Sequence, residues 1–396
     1  MIPQVLPTRY FLNPRADRDR PYGVWERSVL DADSNARAFR EISSWDGYGP
    51  TRLLALPHLA RGLGIGRLWY KDEGSRLGLG SFKALGGAYG VFQVLRRELE
   101  RVGTGPVTSA DILGGKFRDA VRRVTVTCAS LGNHGRSVAW GASRFGCRAV
   151  IFLPDDTAPD RVNAIEGLGA RIVPVRGSYD DAVAVAAKRA EEDGWFVVSD
   201  TAYPGYEEIP RLIMQGYTVM VREALAQLGE ENLPTHVFLQ AGVGGLAGAV
   251  AGFLWEELGP RRPVVTVVEP TEADCLFETA LAGHLRPSRG NLGTAMSCLA
   301  CRDPSTLAWQ ILETGADAFL TVPDYAAVET VGLLARGVGG DPPIQSQPSG
   351  VAGLAGLVAT SFEPTLSGPL NLGENSVVLV FGSEGPAKVK RSSSEQ

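Results

Sequence analysis

The sequence has little of what marks several common protein classes. Its 396 residues include five cysteines, four methionines and four histidines. An odd number of thiols spread over so long a chain excludes a disulfide-built scaffold and fits a reducing compartment. The histidines at 58, 134, 236 and 284 show no ligand spacing, and the pair Cys298 and Cys301 has no second pair to complete four ligands, so no metal site is expected. No apolar run approaches the ~18–20 residues that a membrane helix needs. The N-terminus, MIPQVLPTRYFLNPRADRDRPYG, carries prolines and early acids where a secretory signal has a long apolar stretch. It reads as an irregular arm, and the expected location is cytoplasmic. Charge of one sign is lacking too. Lys plus Arg total 39 and Asp plus Glu total 44, a formal balance of −5, which argues against nucleic acid or an anionic membrane as partner. A GxSxG elbow and a Walker-type lysine loop are both absent.

Glycine is abundant instead, at 48 of 396 residues, well above the usual ~7%. No low-complexity tract accounts for it, so sites built from backbone are expected. The length suggests two domains or one large composite one. Short apolar runs at 124–130, 147–154, 170–175, 195–200, 236–242, 264–270 and 376–382 alternate with helical patterns such as Asp180–Glu192, Ile209–Leu228 and Leu246–Leu258. Near-continuous apolar strands between helices predict an α/β fold with parallel sheet covered on both faces. Residues 103–120 read as a surface excursion and the tail 386–396 as solvated.

Four stretches could carry chemistry. In GSRLGLGSFKALGGAYGVF (74–92), Lys83 follows a Gly- and Ser-rich approach and enters a helical pattern. Flanked by Phe82, Ala84 and Leu85, it is expected to be partly desolvated, with a lowered pKa suited to Schiff-base formation; the alternative is a surface lysine lying along a helix. In CASLGNHGRSVAWGASRFGC (128–147), a strand ends in a tight turn before a helix, where open α/β sheets bind ligands. Gly132 and Gly135 would offer amides to a carboxylate, Asn133 could hydrogen-bond a flat ligand edge, and His134 reads as a helix-start capping residue rather than a base. HVFLQAGVGGLAGAVAGFLWEEL (236–258) has the strand, glycine loop and helix order that cradles phosphate. Its GxGxxxG spacing, with Glu269 ending the next strand, only loosely mimics a dinucleotide fingerprint. SVVLVFGSEG (376–385) delivers Ser383 to a strand end, where a hydroxyl is a neutral partner for a ring nitrogen.

In this order the four stretches resemble the pyridoxal-phosphate enzymes of fold type II, the tryptophan-synthase β-subunit type. Over about residues 40–386 the sequence is most similar to the 2,3-diaminopropionate ammonia-lyase branch, through KDEGSRLGLGSFKALGGAYG (71–90), GNHGRSVAW (132–140), DTAYPGYEEIPRLIMQGY (200–217), THVFLQAGVGGLAG (235–248), EPTEADC (269–275) and LACRDPSTLAWQIL (299–312). The resemblance implies a two-domain parallel-sheet fold, with 96–204 inserted in a larger cofactor-binding unit made of 1–95 and 205–396, and a homodimer. It implies pyridoxal 5'-phosphate on Lys83, with Asp200 as a proton-transfer group. Asn133, Gly242, Val243, Gly244, Gly245 and Ser383 would contact the cofactor, and Ser130, Leu131, Gly132 and His134 a small amino-acid substrate. Cys275 and Cys301 match a pair that forms a disulfide in some relatives; no such bond is expected here.

There are departures from the branch. Leu131 stands where it carries an aspartate, Pro348 where it carries a glutamate, Gly80 replaces an asparagine and Ser383 a threonine. Losing two acids removes charge that could hold a second ammonium group. The expected reaction is β-elimination to a 2-oxo acid and ammonia, in which Lys83 or Asp200 takes the Cα proton and Asp200 protonates a leaving amine. Dehydration of a β-hydroxy amino acid, β-replacement by a second nucleophile, and a catalytically idle cofactor-binding protein stay open as alternatives.

Overall fold

The computed structural model describes residues 2–130 and 132–386. Its strands are β1 (Arg9–Leu12), β2 (Arg52–Ala55), β3 (Arg67–Asp72), β4 (Thr125–Ala129), β5 (Arg148–Pro154), β6 (Arg171–Val175), β7 (Phe196–Val197), β8 (His236–Gln240), β9 (Val264–Pro270), β10 (Ala318–Val322) and β11 (Val377–Gly382). Two sheets form. The larger has the order β1-β10-β9-β8-β11-β3-β2, the smaller β6-β5-β4-β7. The smaller is parallel throughout. In the larger, five parallel strands are flanked by antiparallel β1 and β2 at the edges. The α/β expectation holds.

The apolar runs become strands because helices cover both sheet faces. Every residue of β4, β8 and β10 is buried. Along β8 the side chains alternate between two cores, Val237 and Leu239 in one and Phe238 in the other, as the two-residue repeat of a strand requires. The first core also contains Val126, Cys128 and Ile151 of the smaller sheet, so one apolar mass joins the two sheets. Truncating a residue such as Leu239 to alanine would cost about 2–5 kcal/mol.

Strand order sets the place for a site. β8 has β9 on one side and β11 on the other, and β4 has β5 and β7. The chain passes directly from β8 to β9 and from β4 to β5, while the neighbours on the other side, β11 and β7, come later in the chain. This change of order opens a crevice at the strands' carboxyl ends. Ser130, Gly132, Asn133 and residues 241–245 lie at those ends.

Three expectations are corrected. The N-terminal arm is not wholly irregular, because Arg9–Leu12 pairs with β10, with Tyr10 opposite Leu320. The segment 103–120 is not a simple excursion: it forms helices at Ser109–Leu113 and Arg118–Val121 and buries Val107 and Ile112. The run 195–200 contributes only two strand residues. Of the tail, all but Pro386 lies outside the described residues. Among the described residues no helix is long and apolar enough to cross a membrane.

Candidate functional site

Lys83, Ser130, Gly132, Asn133, His134, Asp200, Gly242, Val243, Gly244, Gly245 and Ser383 all line one pocket of about 920 Å³, its open mouth included. Leu131 lies outside the described residues. Lys83 opens the helix Lys83–Arg101. Its carbonyl accepts from Ser137 Oγ at 2.6 Å, and Phe82 N–H donates to the Ser383 carbonyl at 3.1 Å, so the lysine is tied to two other walls of the pocket. Its ammonium pairs with Asp200 and lies 5.3 Å from the Phe82 ring centroid and 5.7 Å from that of Tyr217.

The lysine corrects the expected pKa. Burial alone would push its ammonium down, but the Asp200 carboxylate outweighs burial and holds it well above the ordinary lysine value. Burial likewise pushes Asp200 up, yet the neighbouring His134 and the Lys83 ammonium bring it far below the usual carboxylate range. His134 is not a capping residue. Its Nε2 lies 2.7 Å from the Val198 carbonyl, which can only accept, so Nε2 carries a proton. Its Nδ1 is buried without a hydrogen-bond partner, 3.8 Å from Asp200 Oδ2. Burial lowers the ring's pKa, with the Asp200 carboxylate opposing it.

The turn after β4 also differs from expectation. The amides of Gly132 and Gly135 both donate to Ser130 Oγ, at 3.0 and 2.8 Å, and thereby close the turn. An incoming carboxylate is left with the amides at 133 and 134, which open the helix Asn133–Phe145 and lack intrahelical partners. Gly132 has φ +153, a conformation that other residues avoid. Asn133 Nδ2 donates to Glu384 Oε1 at 2.6 Å.

The glycine loop suits a phosphate. Gly244 caps the helix Gly245–Leu258 with φ +101, and a Cβ there would lie 2.9 Å from Ala308 Cβ. A Cβ on Gly242 would lie 2.9 Å from Cys301 Sγ. Lys83 is the only Lys or Arg among the described lining residues, so a phosphate would rest on amides and the helix dipole. With a lysine at the centre, the Ser383 hydroxyl on one wall and the Asn133 amide on another, the donor set fits pyridoxal phosphate. All five cysteines are free, including Cys275 and Cys301. Pro348 begins the helix Pro348–Ser361 and brings no charge to the pocket.

Sequence reasoning missed several lining residues: Gln240, Glu384, Cys298 and Tyr179. Gln240 and Glu384 each sit beside a recognised motif, and that adjacency was the available signal. Tyr179 begins a helix closed by the Ser178–Asp181 capping box, and no local pattern points it at the site.

The pyridoxal-phosphate dependent enzyme family matches residues 44–382, and the chain belongs to that family. The fold is therefore that of a fold type II enzyme and the cofactor is pyridoxal phosphate. Among relatives, the chain is 39% identical over 378 residues to diaminopropionate ammonia-lyase of Escherichia coli K12, covering 94% of each chain. It is 36% identical over 377 residues to that of Salmonella typhimurium LT2, covering 93% of each. The crystal structure of the E. coli enzyme in complex with an aminoacrylate–PLP azomethine reaction intermediate superposes with a TM-score of 0.86 at 35% identity, covering 98% of this chain and 96% of that one.

Proposed function

We propose that this lyase eliminates the β-amino group of a small diamino acid, 2,3-diaminopropionate, with water to give pyruvate and two molecules of ammonia. The observation that carries the reading is the half-buried Lys83–Asp200 pair between the turn at 132–134 and the glycine loop at 242–245. When bound, the cofactor supplies a sink for the electron pair left at Cα. Lys83 anchors it, the amides of 242–245 hold its phosphate, and Ser383 and Asn133 meet its ring. The amides at 133 and 134 clamp the substrate carboxylate. Lys83 and Asp200 are the two groups placed to take the Cα proton.

Asp200 is not suited to protonating the leaving amine, because it is held ionised far below neutral pH. Glu384 supplies an alternative. It lines the pocket, and burial raises its pKa against the opposing Asn133 amide and the Arg161 and Arg136 guanidiniums. The Lys83–Asp200 pair cancels, and Glu384, held by the Asn133 amide and with the Arg161 and Arg136 guanidiniums acting on it, is the remaining carboxyl among the described lining residues for a second ammonium. A nitrogen kept protonated there departs as neutral ammonia without a separate acid. This acid stands in for the two that the sequence lacks at Leu131 and Pro348.

A second reading, dehydration of a β-hydroxy amino acid, is favoured by the uncharged Pro348 at the helix start. A panel assay separates the two. Ammonia and 2-oxo acid released fastest from diaminopropionate support the first; faster release from serine or threonine supports the second. Release only with an added nucleophile would point to β-replacement, and no turnover at all to an idle protein.

The remaining readings belong to the same proposal. Residues 96–204 form the smaller unit, since all four strands of the smaller sheet fall between 125 and 197, while 1–95 and 205–396 form the larger. Two copies pair as a homodimer, and free thiols support a cytoplasmic location.

A further inference from the structure

Gln240 has no part in the chemistry described so far. It ends β8, is 1% exposed, and lines the pocket. Its Nε2 lies 2.8 Å from the Phe381 carbonyl, 3.1 Å from the Gly350 carbonyl and 2.6 Å from Ser383 Oγ. A carboxamide can be turned end for end, but here its neighbours decide the orientation. Both carbonyls only accept, so the nitrogen must face them. Its Oε1 is left buried without a partner and packs against Gly353, an orphan that persists because the flipped amide would set oxygen against two carbonyl oxygens.

The third contact then has a definite polarity. Ser383 Oγ accepts from Gln240, with two amide hydrogens shared among three acceptors. The serine's single hydrogen is thereby left for the pocket. We propose that Gln240 is a positioning residue that turns the Ser383 hydroxyl into a donor toward the cofactor ring, so that the ring nitrogen it meets is the unprotonated acceptor. Without Gln240, the Phe381 and Gly350 carbonyls lose its amide hydrogens, Gly350 keeping the Ser383 N–H at 3.2 Å, and both compete for the same hydroxyl hydrogen. The inference rests on the placement of the ring nitrogen at Ser383 under the proposed function.

The test is the ¹⁵N resonance of ring-labelled pyridoxal phosphate bound to the full-length protein, read for wild type, Ser383→Ala, Gln240→Met and the double variant. Wild type should give a hydrogen-bonded neutral nitrogen. Gln240→Met should move the signal in the same direction as Ser383→Ala, and the double variant should move it no further than Ser383→Ala does. Cofactor affinity should fall about 2–10-fold in Gln240→Met, the loss expected for one hydrogen bond. If Ser383→Ala shifts the signal and Gln240→Met does not, the inference is overturned while the placement stands. If Ser383→Ala leaves it unmoved, the placement fails and takes the inference with it. Should Gln240→Met not fold, the wild-type spectrum still decides, because a protonated pyridinium signal requires Ser383 to accept and contradicts the proposal.

Discussion

Two lysines, twelve residues apart in one sequence motif, have contrasting surroundings. Lys71 is fully enclosed, and its Nζ donates to the Thr51 carbonyl, Glu223 and Gln227 at 2.8–2.9 Å. Glu223 is shared with Arg76, which also grips Glu73, so two cations and two carboxylates close a neutral cluster. Burial lowers the Lys71 pKa there, with Glu223 opposing it. Lys83 has one charged partner, Asp200, and its side chain is 21% exposed to the pocket. The difference teaches that an interior lysine is available for chemistry when its coordination is incomplete and a ligand can reach it. Charge alone does not separate the two.

The largest effect should come from exchanging the roles. Lys83→Ala should abolish the visible band of the holoprotein and all turnover, while Lys71→Met should keep the band in whatever fraction folds. Absorption spectra of the two purified variants decide, and a band retained in Lys83→Ala would mean that another lysine is the anchor.

Asp200→Asn should cut turnover by about 10²–10⁴-fold, the range for a positioned acid–base, with the cofactor retained. It should also release the Lys83 pKa. In the wild type the raised pKa keeps Lys83 protonated at neutral pH, so covalent uptake of the aldehyde by apoprotein should quicken with pH, about tenfold per unit. In the variant, burial prevails and uptake near pH 7 should be the faster of the two. Stopped-flow growth of the band at several pH values measures this, and equal rates at neutral pH would show that Asp200 does not govern the lysine.

Breaking the closed cluster should instead appear as lost stability. Glu223→Ala leaves Lys71 and Arg76 short of a partner and should cost about 3–5 kcal/mol in urea unfolding, with turnover per folded molecule little changed. A stable but inactive variant would transfer the cluster to the catalytic machinery.

The smallest effect concerns the substrate. Glu384→Gln should raise KM for diaminopropionate about 2–5-fold, the size of one partly exposed ion pair, and leave serine unaffected. An equal change for both substrates would remove the ammonium role.

Much of this was legible in the chain because its signals are local. Central strands such as β4 and β8 read as continuous apolar runs, since both their faces are covered. β1 and β2 did not, because four-residue edge strands with exposed positions have neither length nor pattern. The Lys83 segment, the turn at 132–135 and the glycine loop are compact motifs, and the structure brings them to one pocket. What escaped was pairwise. The direction of the Lys83 pKa depends on a carboxylate 117 positions away. The Ser130 bonds that occupy the Gly132 and Gly135 amides follow from how the turn closes, not from its composition.

The central claim is that the amine of residue 83, and not that of residue 71, carries the cofactor. Borohydride reduction of the holoprotein followed by peptide mapping should place the pyridoxyl group on the peptide containing Lys83. A modified peptide containing Lys71 or any other lysine, or a protein that takes up no pyridoxal phosphate when offered it, would contradict the account.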